Sequence, residues 1–239
     1  MDDAGRGEPG QLLFRQTLSM LLAIDTSTRL ASVALYAAGV VRGEHTWWAD
    51  QNHTAELWPQ VLGLLAQERI APRQLTGLVV AIGPGSFNGL RVGLSAAKGL
   101  AWSLGLPLVG VCTLEAIAYQ HSLLRMPIRP VLPAGRGEVA TALYRHLFRR
   151  WRQLEAPRLA TLDQLCAETE RRTLFCGELE AAQVETLRQR LGRRAVIAPP
   201  AAAPRRAAFL AELGAQRLAA GAADDPVTLQ PIYLRRAVQ

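Results

Sequence analysis

Short apolar runs and helix-period stripes alternate along this chain, and their order predicts an α/β fold. Leu21 to Asp25 is an apolar run ending on an acid, Thr26 to Arg29 supply a turn, and Ala31 to Tyr36 resume an alternating pattern, which predicts a strand hairpin. Gly43 to Trp48 adds a third strand. A helix follows from His53 to Gln67 with Thr54 as its N-cap, then a buried strand over Gly77 to Gly83. Pro84-Gly85-Ser86 turns the chain into a long helix from Phe87 to Leu104, followed by a strand over Leu108 to Cys112 and a helix from Thr113 to His121.

The second half has a weaker pattern. Strands are predicted at Ile128 to Leu132, Glu138 to Tyr144, Thr173 to Cys176 and Ala195 to Ile197. Helices are predicted at Leu162 to Glu170, Leu179 to Arg190 and Arg205 to Ala220, with basic connecting sequence up to Arg158 and an extended tail from Pro231 to Leu234. No short-period repeat is present.

Two helices have unusual faces. On the first, Leu57, Val61 and Leu64 form one stripe and Trp58, Leu62 and Leu65 a second beside it, spanning an arc of about 160° where roughly 100° serves a single core. One stripe is therefore expected to face a partner. On the second, Gly89, Gly93 and Ala97 recur every four residues, and each interior glycine costs about 1 kcal/mol relative to alanine. That cost predicts close approach to another helix along this face.

Composition narrows the function classes. The chain has 239 residues, 49% of them hydrophobic, enough for a core without covalent staples. Its three cysteines, Cys112, Cys166 and Cys176, lack C-x-x-C spacing, so neither a disulfide framework nor a zinc site is predicted, and a reducing, cytoplasmic setting fits. No run of 18 apolar residues could span a membrane. Residues 1–19 lack the order of a secretory signal and read as a disordered extension, with Met20 opening the fold. The net charge of +7 is lopsided: residues 1–120 hold seven Arg and one Lys against nine acids, and residues 121–239 hold nineteen Arg against eleven acids. An arginine-rich half can attract RNA phosphates, and it can equally be a compositional habit, since Lys98 is the only lysine.

Two segments carry most of the chemical information: AIDTST at Ala23 to Thr28 and GPGSFNGLRVG at Gly83 to Gly93. An acid at a strand end with a hydroxyl-rich turn suits a metal or phosphate neighbour, and it also suits a plain Ser/Thr turn. The second segment leads into a helix N-terminus, a place for an anion, but no Lys-Ser/Thr follows as a Walker loop requires. Together with His53-Thr54, GVCTLEAIA (Gly110 to Ala118) and PIYLR (Pro231 to Arg235), these segments resemble the TsaB (YeaZ) family, closely over Met20 to Tyr119 and loosely beyond.

That resemblance implies an actin-like (ASKHA, ribonuclease H-like) α/β fold of two lobes, residues 20–120 and a reduced second lobe at 121–239. It also implies a non-catalytic role. The protein would be an activating scaffold for the transferase TsaD in making threonylcarbamoyladenosine on tRNA, with TsaE in the larger complex, tRNA reached through the complex and a competing homodimer. The implied partner-binding helices carry His53, Leu57, Trp58, Val61, Leu62, Leu65, Gly89, Gly93 and Ala97, and a candidate remnant phosphate loop carries Asp25, Ser27, Gly85 and Ser86. No cofactor is implied.

Catalytic relatives hold a metal through an H-x-x-x-H pair, whereas here Leu57 stands four residues after His53, so no metal site or catalytic residue is expected. Ser27 and Ser86 lack a base partner, and His45, His121 and His146 are isolated in sequence. The family's D-A-R-x-G-E-V-Y segment reads Pro133-Ala134-Gly135-Arg136-Gly137-Glu138-Val139-Ala140, without the acid and the aromatic. The alternative function is a small-molecule kinase or ATPase of the actin-like superfamily. It needs a second phosphate loop, for which Gly177-Glu178-Leu179 is the nearest and an incomplete candidate. Trp47 and Trp48 are expected in the core.

Overall fold

The run Met20–Asp25 is buried on both faces and forms the central strand of the first sheet, β1, where only apolar residues are tolerated on either side. Leu30–Ala37 (β2) and Val40–Trp48 (β3) continue antiparallel on one side. Gly77–Ala81 (β4) and Leu108–Val111 (β5) lie parallel on the other, giving the order β3-β2-β1-β4-β5. His53–Gln67 (α1) and Phe87–Leu104 (α2) make the crossovers, and Thr113–Tyr119 (α3) follows β5. Described in this computed structural model are residues 20–49, 52–148 and 150–235, so the extension expected over 1–19 lies outside the described residues.

From Ile128 the plan repeats. Ile128–Gly135 (β6), Glu138–Leu147 (β7) and Arg150–Thr161 (β8) are antiparallel, while Thr173–Gly177 (β9) and Ala195–Ile197 (β10) lie parallel to β6 in the order β10-β9-β6-β7-β8. Leu162–Glu168 (α4), Ala181–Leu191 (α5) and Ala207–Ala219 (α6) occupy the positions of α1, α2 and α3. Two copies of a βββαβαβα unit with one strand order are the duplicated actin-like architecture. The second lobe is not reduced in its sheet, since it matches the first strand for strand. Only its crossover helices are shorter, 7 and 11 residues against 15 and 18.

The last helix of each unit crosses to the other sheet. Leu114, Ile117 and Ala118 of α3 pack with Ile128, Leu132 and Tyr144 of the second lobe. Ala207, Leu210 and Ala211 of α6 pack with Leu21, Ala23 and Val79 of the first. A division at residue 120 therefore cuts across this exchange. Gly214 lets α6 lie flat on the sheet, because a Cβ there would sit 2.2 Å from Val79 Cγ2. The opposite face of the first sheet is covered by α1 and α2 through Leu57, Val61, Leu64, Leu94 and Ala97.

Three local expectations change. Asn52, not Thr54, precedes the first turn of α1, and it makes no side-chain cap. The basic stretch before Arg158 is the twelve-residue strand β8, RWRQLEAPRLAT, whose two register shifts against β7 space its charged residues 150, 152, 155 and 158 unevenly and so hide the strand period. It lies at a sheet edge, where Pro157 is tolerated. Trp47 packs half-buried against the first core, but Trp48 is exposed toward the interlobe cleft.

Candidate functional site

The β1–β2 turn and the start of α2 meet in one closed hydrogen-bonded unit. Asp25 Oδ1 accepts from Ser27 N at 2.9 Å and from Ser27 Oγ at 2.5 Å, and its Oδ2 accepts from Arg205 Nε at 3.0 Å. Asp25 and Arg205 are each only 2% exposed in their side chains. The guanidinium also donates to Glu178 and to Leu30 O, and Glu178 accepts from Thr28 Oγ1 at 2.6 Å. Burial works against the charged guanidinium, but Asp25 and Glu178 outweigh it and hold its pKa above the ordinary arginine value. Both oxygens of the candidate metal-side acid are thus occupied from within the chain.

The candidate remnant phosphate loop is closed in the same way. Ser86 N donates to Ser27 O at 2.6 Å, while Ser86 Oγ caps α2 by accepting from Gly89 N at 3.4 Å. Thr26 Oγ1 donates to Gly89 O at 2.7 Å. Glycine is required because a Cβ at Gly85 would sit 2.2 Å from Ser27 O, at Gly89 2.1 Å from Thr26 O and at Gly93 2.3 Å from Thr26 Oγ1.

The small-residue face of α2 therefore corrects the expectation that it meets a partner. Gly89, Gly93 and Ala97 are buried against this chain's own β1–β2 turn and core. A test follows from the contrast within one helix. Gly89→Ala is expected to lower stability by about 1–3 kcal/mol through overpacking, whereas Gly99→Ala, with nothing within 4 Å, is expected to raise it by roughly 0.5–1 kcal/mol. Urea titration of the two variants reads the opposite signs directly.

Of the residues expected on α1, Leu57, Val61 and Leu65 are buried in the first core, and His53 is buried at the helix start beside Gly89 and the interlobe cleft. Burial holds the His53 pKa below the usual histidine value, against the opposing pull of Glu56 and Asp25. A neutral imidazole one turn before Leu57 has no second histidine to share a metal. Among the described residues no group of three His, Cys, Asp or Glu side chains could hold a metal ion. The second stripe splits: Trp58 and Leu62 remain on the surface, Leu62 at 55% exposure. On the adjoining α2, Phe87 and Trp102 are also exposed, Trp102 at 79%.

Between the lobes lies a cleft of about 860 Å³ lined by His53, Ser86, Phe87, Arg91, Glu178 and Arg235, among others. The tail crosses its mouth. Ile232 N donates to Ile82 O at 2.7 Å, the Tyr233 ring lies 5.3 Å from Phe87, Arg91 stacks 3.8 Å over Phe87, and Arg235 pairs with Glu138. The divergent loop 133–140 thus spends Glu138 on an internal contact. Arg205 is the residue that sequence reasoning missed, and for Glu178 and Tyr233 it found the segments but not their contacts, since partners up to 180 positions apart leave no local signal.

A family model described as TsaD, tRNA N6-adenosine threonylcarbamoyltransferase, matches residues 43–236. The tRNA threonylcarbamoyladenosine biosynthesis protein TsaB of Bacillus subtilis is 34% identical over 220 residues, covering 91% of this chain and 94% of that relative. The chain belongs to the TsaB family. TsaB of Escherichia coli is 39% identical over 98 residues, 41% of this chain and 42% of the relative. YeaZ from Pseudomonas aeruginosa superposes with a TM-score of 0.76 at 24% identity, covering 91% of this chain and 100% of that one, which speaks for the shared fold. Family membership places the protein in tRNA threonylcarbamoyladenosine biosynthesis. The TsaB-like stretch Gly83 to Gly93 is, in physical terms, the set of small residues that lets α2 close over the β1–β2 turn.

Proposed function

We propose that this protein is a non-catalytic, activating scaffold that binds TsaD through the outer surface of α1 and α2. TsaE joins the resulting complex, tRNA is modified by TsaD, and a homodimer over the same surface competes with the heterodimer. The setting is the cytoplasm. The observation that carries the reading is the set of large apolar side chains, Trp58 and Leu62 on α1 and Trp102 on α2, exposed on two helices of one layer. Aromatic anchors of this kind supply most of the energy of a protein interface.

The interior supports the non-catalytic part. Asp25 is paired with Arg205, the Ser27 hydroxyl donates to that same salt-bridged carboxylate, and Ser86 N donates to Ser27 O. A kinase-like reading would need that acid and those backbone groups directed at a nucleotide and its metal. Glu178 of the candidate second phosphate loop is likewise tied to Thr28 and Arg205.

The test is reconstitution of TsaD, TsaE, tRNA, ATP and threonylcarbamoyl-adenylate with and without this chain, scoring modified adenosine. Modification is expected only with the chain present, and no ATP turnover by the chain alone. Modification in its absence, or hydrolysis by the isolated chain, overturns the reading.

A further inference from the structure

Residues 145–152 read RHLFRRWR, with four arginines, one histidine and no acid. Of these, residues 145–148 and 150–152 are described and lie at the end of the β7–β8 hairpin, in the register Arg145↔Arg152, His146↔Trp151 and Leu147↔Arg150. The hairpin is anchored from its inner face, where Trp151 stacks on Tyr144 with ring centroids 5.6 Å apart and planes 1° from parallel. Side chains alternate across a strand, so Arg145, Arg150 and Arg152 stand on the outer face.

Two features there work against the free protein's own stability. Arg145 and Arg152 are directly opposite, and facing like charges destabilise a strand pair. Phe148, at the turn, is 97% exposed and held at φ +49°, a conformation that side-chain-bearing residues rarely adopt. Nearer the hairpin's base the charges are balanced, since Glu155 pairs with Arg129 and Arg158, and Glu168 with Arg158. Among the described residues no carboxylate pairs with Arg145, Arg150 or Arg152. Arg145 reaches only the backbone carbonyl of Arg125, at 3.4 Å.

We propose that the tip of the β7–β8 hairpin binds unpaired RNA, with Arg145, Arg150 and Arg152 meeting backbone phosphates and Phe148 stacking on an exposed base. Planar guanidinium groups around one exposed ring match phosphates and base faces. A lipid surface would call for a broader apolar face, whereas Leu147 beside the ring is half-buried. The choice of RNA over DNA rests on the family's tRNA pathway. Because the hairpin belongs to the second lobe and the docking face to the first, failure of either reading leaves the other standing.

The experiment is fluorescence anisotropy of the full chain with labelled, unmodified tRNA over a series of salt concentrations. Arg150→Glu/Arg152→Glu is expected to weaken binding at least tenfold and to flatten the slope of log K against log salt by about two. Phe148→Ser is expected to weaken it at least fivefold with the slope unchanged. Arg172→Glu/Arg193→Glu, an equal charge change at exposed positions away from the tip, is expected to change it less than twofold. Circular dichroism confirms that each variant is folded. Absence of tRNA binding at low salt overturns the proposal, as does an equal loss in the control pair, which would mean general polyelectrolyte attraction. Loss of binding to phosphatidylserine vesicles with unchanged RNA affinity would assign the tip to a membrane and also overturn it.

Discussion

Arg205→Met lowers stability by about 3–5 kcal/mol in urea titration, because breaking a buried ion pair strands the remaining charge. Asp25 is the group stranded, in a site where its side chain is 2% exposed and the remaining donors come from Ser27 alone. Leu30 O loses its donor at the same time. Glu178 is a third exposed and can hydrate, so its share of the loss is small. The double variant Asp25→Asn/Arg205→Met is expected to recover at least half of the loss, since the stranded charge is gone. A single-variant cost below about 1 kcal/mol would mean that water reaches Asp25 and that the network does not hold the lobes together.

Trp58→Asp/Leu62→Asp is expected to weaken TsaD binding more than a hundredfold, about 2.7 kcal/mol, with the melting temperature little changed. Both side chains are exposed in the free chain, so the substitutions remove nothing from the core and place two carboxylates in the centre of the proposed interface. Size-exclusion of mixed proteins, with circular dichroism of the variant alone, reads complex and fold separately. The same variant should lose the homodimer. Retained heterodimer with a folded variant would move the docking surface away from α1. Leu57→Asp, one position earlier and buried, would instead be expected to unfold the chain and so cannot serve as the test.

The two helices illustrate how far a wheel diagram reaches. The wide apolar arc of α1 was legible because two stripes cannot both face one sheet, and the structure leaves Trp58 and Leu62 outside. The glycine face of α2 was legible as a close approach but not as to what, because an absent side chain says only that something lies near. The neighbour is the backbone of Thr26, some sixty residues earlier in the chain. Strand β8 was missed because two bulges against β7 break its sequence alternation, so Arg150, Arg152, Glu155 and Arg158 share a face without an even spacing.

By itself, the sequence determined the first lobe, its element order, the family and the absence of a second histidine after His53, since all of these reside in local patterns and contiguous motifs. Only the tertiary structure decided that the second sheet is complete, that α3 and α6 exchange sheets, and that Asp25 is held by Arg205. The physical reason is separation. Helix and strand periods arise between residues a few positions apart, while a buried ion pair spanning 180 positions leaves no trace until the chain has folded around it.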